Sequence, residues 1–170
     1  MRVIAAILGV TILTTAAVAA DFDFRRADDP TLLRILRDLA VRSVNKADEM
    51  EIAAFIVKDE SGNLSCLMWP HTSATRAARY SGVTPTGTVA IAHTHPVQAP
   101  QPSRADVQQS TRIGLPIYVV TRWNLYGVDP GSGESIVLRK NKEWSRAGSP
   151  VCRENWSLLQ PDPKINSKSE

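Results

Sequence analysis

VAIAHTHPVQAPQPSRADVQQSTRIGLPIYVV, residues 89–120, reads as strand, loop, helix and strand. Val89 to His93 is an unbroken run of β-branched and small apolar residues, the pattern of a strand buried in a core. Pro96 cannot donate to a ladder, and prolines at 100 and 102 keep the following stretch in a loop. Ser103 offers a helix cap, with Asp106 three residues on at the favourable positive end of the helix dipole. That helix is expected to reach about Ile113, and Pro116 to Thr121 (PIYVVT) supplies the next strand.

Upstream, Asp29 can cap the free amides of a helix that has Pro30 at its first position and Leu32, Leu33, Leu36 and Leu39 at helical spacing. The helix is expected to run to about Asp48. EIAAFIV (51–57) and the apolar run Leu64 to Trp69, separated by the polar DESGN (59–63), form a hairpin signature. Pro70 to Gly87 reads as a connecting lobe with a short helical turn around Thr75 to Tyr80. Downstream, LYGV (125–128) and Ser135 to Leu138 flank the turn at 129–133. The order helix, two strands, strand, helix, three strands predicts an α/β domain, a mixed sheet with helices packed on it.

Two of the chain's three histidines, His93 and His95, end the most hydrophobic strand, and alternate residues of a strand face the same way. The loop from Pro96 to Pro102 lets the chain reverse and bring Asp106 beside them as a third ligand. Three ligands leave one coordination position for water, which is the catalytic rather than the structural arrangement. A nitrogen and oxygen set of this kind favours zinc, one ion per chain, while admitting other divalent ions. The bland alternative gives Ser103 and Asp106 an ordinary capping box and makes the histidines surface residues. His71 reads as a loop histidine. Trp69, Trp123, Trp144 and Trp156 divide between core packing and the lining of a substrate groove.

His93-Thr94-His95, seven residues, Ser103, two residues, Asp106 resembles the metal-binding signature of the JAB/MPN family, the JAMM metalloproteases. The likeness extends loosely over residues 48 to 139. It implies a JAB/MPN-like, cytidine-deaminase-like layered fold with a mixed sheet flanked by helices, and a zinc peptidase or isopeptidase acting on a protein or peptide. In the family a Glu opens an earlier strand, a position matched here by Glu51. The resemblance then implies Glu51 as general acid/base and Ser103 as the hydrogen-bond donor to the tetrahedral oxyanion. Independently of the family, water activated by a metal needs a nearby carboxylate to carry its proton. Glu49 competes with Glu51, which is preferred because it directly precedes the apolar run. Non-catalytic members usually lack some of these residues, so a protein-interaction module of the same fold, with or without metal, is the second reading. A cell-wall metallopeptidase of the His-x-His type is disfavoured, since it needs an Asp four or seven residues after an upstream His, and from His71 those positions hold Thr75 and Ala78.

The remaining sequence sets the context. Met1 and Arg2 precede an apolar, small-residue run from Val3 to Ala20 that meets charge at Asp21, the form of a secretory signal peptide cleaved after Ala19 or Ala20. This predicts an exported protein, periplasmic or secreted, with one domain over 21–159, a disordered tail over 160–170 and no stable membrane association once the leader is gone. A formal net charge of +3 with scattered basic residues gives no phosphate-binding stripe and excludes nucleic acid as the expected partner. Cys66 and Cys152 can form a disulfide in an oxidising compartment or remain two unpaired thiols.

Overall fold

The computed structural model describes residues 22–44, 51–70, 78, 80–95, 101–121, 123–141 and 151–154. Helix α1 spans Pro30–Val44 and helix α2 Arg104–Ile113. The strands are β1 (Ala53–Lys58), β2 (Leu64–Met68), β3 (Thr88–Thr94), β4 (Ile117–Val120), β5 (Leu125–Val128) and β6 (Ser135–Arg139). They form one sheet in the order β2-β1-β3-β4-β5-β6, in which only β3 and β4 are parallel. This is the mixed α/β sheet flanked by helices that the sequence predicts.

The two faces of the sheet follow from residue parity. Ala54, Ile56, Ala90, Ala92, Tyr118 and Val120 pack with Leu32, Leu36 and Leu39 of α1. Phe55, Ile91, Ile117, Val119, Tyr126 and Val128 form the core of the opposite face, against which Val107 and Ile113 of α2 rest. Strand β3 is buried at every position, as its apolar composition requires. Helix α1 starts as its sequence dictates, for Asp29 Oδ1 accepts the Thr31 and Leu32 amides at 2.8 Å each. Helix α2 ends at Gly114, whose φ of 67° lets its amide donate back to the Ser110 carbonyl.

Several boundaries differ from the sequence expectation. Glu51 and Ile52 precede β1 rather than belonging to it. The segment before α1 is part of the core, because Phe24 and Ala27 are buried on the α1 side and the Tyr118 hydroxyl donates to the Phe24 carbonyl at 2.9 Å. Cys66 and Cys152 are joined by a disulfide, and Arg153 bridges to Leu67, so residues 151–154 lie along the outer edge of β2. The carboxylate of Asp38 on α1, 2% exposed, accepts the Val151 and Cys152 amides and the Arg42 guanidinium. The end of α1 beyond Val44, the leader, the turn expected at 75–80 apart from residues 78 and 80, and the tail lie outside the described residues, as do Glu49, His71, Trp144 and Trp156.

Candidate metal centre

Strand β3 and the residue after it bring His93 and His95, and α2 brings Asp106, three side chains that could hold a metal ion. The parallel neighbours β3 and β4 end side by side, and the chain leaves β3 to enter α2 at that end, where α/β sheets present their sites. His93 stands opposite Ala53 on β1 and Val119 on β4. The His95 amide donates to the Val120 carbonyl at 2.9 Å, which extends the β3–β4 ladder past the strand and fixes the second histidine on the same face. Thr94 between them points the other way, and its hydroxyl oxygen accepts the Ile52 amide at 3.1 Å.

Asp106 is placed by the capping box of α2. Its amide donates to Ser103 Oγ at 3.3 Å, while Oδ2 accepts the Ser103 amide at 2.6 Å and the Ser103 hydroxyl at 2.7 Å. The carboxylate is thereby held across both imidazoles, with His93 Nε2 3.2 Å from Oδ1 and His95 Nε2 3.3 Å from Oδ2. The capping box is therefore compatible with a metal-holding role, because it is what turns the Asp106 carboxylate toward the histidines. Burial pushes the Asp106 carboxyl up, but the facing imidazoles and the Ser103 hydroxyl outweigh it and hold the group well below the usual carboxylate range.

The donor chemistry fits a metal ion. His95 Nδ1 lies 2.9 Å from the Gln101 carbonyl, which can only accept, so Nδ1 carries the proton. With Nδ1 so occupied, Nε2 is the ring nitrogen turned to the Asp106 carboxylate, in a site where His93 and His95 are 8% and 7% exposed. A carbonyl on the outer nitrogen is the usual means of orienting a metal-binding imidazole, and the inner nitrogens with the carboxylate make a donor set suited to a divalent cation. The three side chains form a group whose ligand atoms all lie within 4.8 Å of one another.

The other two expected site residues are placed differently. Two further residues of the β1–β3 register, beyond the Ala53–His93 pair, set Glu51 opposite His95, on the side of the sheet that carries the histidines. Its Oε2 accepts the Ala78 amide at 3.1 Å. The hydroxyl proton of Ser103 is directed at Asp106 Oδ2. Sequence reasoning had no means of finding the Gln101 carbonyl, since backbone ligation of an imidazole leaves no residue-type signal.

A family model described as prokaryotic homologs of the JAB domain matches residues 34–132, more than half of the chain. No curated protein and no solved structure gives a match.

Proposed function

The chain belongs to the prokaryotic homologues of the JAB domain, and from that premise we propose that it is a zinc-dependent peptidase or isopeptidase hydrolysing an amide bond of a protein or peptide. His93, His95 and Asp106 would hold one zinc ion per chain. The observation that carries the reading is the convergence of His93, His95 and Asp106, whose ligand atoms lie within 4.8 Å of one another, with the outer nitrogen of His95 held by the Gln101 carbonyl. A divalent ion in that position supplies Lewis acidity and brings the pKa of water to about 7.

The chain's own residues then have separable tasks. Glu51 takes the proton released from the attacking water onto a carboxylate oxygen and returns it to the leaving nitrogen as the C–N bond breaks. Its place opposite His95 on the extended β1–β3 register supports that role. Ser103 keeps Asp106 turned toward the histidines and, once its hydroxyl proton is released from Oδ2, donates to the oxyanion. Export through a cleaved leader, and a substrate met outside the cytoplasm, are part of this reading, with no nucleic-acid partner.

A second reading, an interaction module of the same fold that binds metal without turnover, draws support from one contact. The Ala78 amide already engages the Glu51 oxygen needed for proton transfer.

Elemental analysis of the purified mature protein, beside a His93→Ala, Asp106→Ala double variant, tests the metal. About one zinc per chain in the parent and almost none in the variant is expected. Turnover of peptide and isopeptide substrates, abolished by Glu51→Gln with zinc content unchanged, separates the enzyme from the module. A parent that takes up no zinc when supplied with it would sink the hydrolase reading.

A further inference from the structure

The sheet that carries the histidines also carries an aromatic wall beside them. The Trp69 amide donates to the Ala53 carbonyl at 2.7 Å, which continues the β1–β2 pairing by one residue and sets Trp69 on the same rung as Ala53 and His93. Two strand spacings, roughly 10 Å, separate the backbones of Trp69 and His93, and only the methyl group of Ala53 stands between them on that rung. The Trp69 ring lies 5.2 Å from Phe55 and 5.4 Å from Tyr80, and Phe55 meets Tyr80 edge-on at 4.8 Å. Phe55 is buried, whereas Trp69 and Tyr80 each keep part of their surface in solvent.

This wall is tied to the site rather than merely near it. The Tyr80 hydroxyl donates to the Val83 carbonyl at 2.8 Å, and two residues before Tyr80 the Ala78 amide donates to Glu51. One short stretch of chain thus touches both the aromatic cluster and the proton-carrying carboxylate. The indole of Trp69 has its polar edge turned inward. Its Nε1 is buried with no hydrogen-bond partner, the one such side-chain atom among the described residues, although buried indoles usually find an acceptor. With the polar edge shut away, the ring surface left open is apolar.

We propose that Trp69 and Tyr80 wall a subsite for an aromatic or large aliphatic side chain flanking the scissile amide, an inference that rests on the hydrolase reading above. The distance suits it. One or two Cα steps of about 3.8 Å plus a side chain cover the separation between a carbonyl at the metal group and the wall. A glycine at that substrate position would leave the wall unused, and a charged side chain would be desolvated against it without a partner.

The test uses zinc-loaded mature protein and internally quenched peptides that carry Phe, Leu, Gly, Asp or Lys in turn at each of the two positions on either side of the cleaved bond. At one of these positions Phe or Leu is expected to exceed Gly in kcat/KM by about tenfold or more. Trp69→Ala should bring that ratio to within about twofold while cleavage of the Gly peptide persists. Tyr80→Ala, at a partly exposed position, should lower the ratio in the same direction and serves if Trp69→Ala does not fold. A parent that prefers Gly or a charged residue, or a preference that survives both substitutions, overturns the proposal. Binding of the same peptides to Glu51→Gln protein, followed by fluorescence anisotropy, distinguishes the failure of catalysis from the failure of the subsite. Tighter binding of Phe and Leu peptides that depends on Trp69 upholds the subsite even if the parent cuts nothing, and equal or absent binding removes it.

Discussion

Asp106 meets two demands with one carboxylate, closing the first turn of α2 through Ser103 and facing both histidines. The local chemistry makes both visible in the sequence. A cap, an N3 carboxylate and two alternate strand histidines are short-range features fixed by helix and strand geometry, so their spacing survives whatever the loop between them does. Glu51 was legible in a weaker sense. The sequence marks it as the residue before an apolar strand, but its bond to Ala78 depends on a lobe with no periodicity to read. Ser103→Ala separates the two demands on α2. Loss of the cap should cost about 1 kcal/mol of stability, seen as a lower urea midpoint. Loss of the hydroxyl that steadies Asp106 should weaken zinc binding roughly 10- to 100-fold, measured by competition with a chelator. A variant with the stability loss and undiminished affinity would show that the Ser103 hydroxyl does not steady Asp106 for the metal.

Among the elements, α1 combines a legible half with an illegible one. Its cap and leucine stripe are local and follow from the sequence, while its hold on the C-terminal segment joins Asp38 to residues more than 110 positions away. Periodicity reports which face of a helix is apolar and says nothing of a carboxylate at the border of that face whose partners are backbone amides. The same limit hid the pairing of residues 151–154 with β2 and left the disulfide open, because edge pairing of an irregular segment is set by tertiary packing. Burial pushes the Asp38 carboxyl up, but Arg42 and the Cys152 and Val151 amides more than compensate and keep it below its ordinary value. Its folded pKa is depressed, so the stability it contributes is present above the unfolded value of about 3.9 and is lost as pH falls through the folded value. Asp38→Asn should destabilise the fold by about 3 kcal/mol at neutral pH, since it leaves Arg42 without its buried partner. Denaturant melts should show the gap between parent and variant narrowing below about pH 4. A neutral-pH difference under about 0.5 kcal/mol would place the clamp among surface contacts of no consequence.

At the scale of the whole molecule, the sheet works as a partition. Its α1 face holds the larger core, the disulfide and the docked segments from both ends of the described chain. The opposite face carries α2, the histidines and the aromatic wall. The larger core and the candidate metal ligands thus fall on opposite sides of one layer, and β3, buried throughout, contributes to both through alternate residues. A consequence is that the ligand cluster can change occupancy without disturbing the α1 core, so metal should stabilise the folded chain by simple linkage rather than be required for folding. Ligand at about 100 times its dissociation constant adds roughly 2.7 kcal/mol. For a chain of this size each kcal/mol moves the midpoint by about 2–4 °C, so zinc should raise Tm by roughly 5–10 °C. Differential scanning calorimetry with zinc and with a chelator measures the shift, and Asp106→Asn should show almost none. Loss of cooperative unfolding in the chelated protein would contradict the partition, because it would make the metal a structural element of the sheet instead of a reagent seated on one face of it.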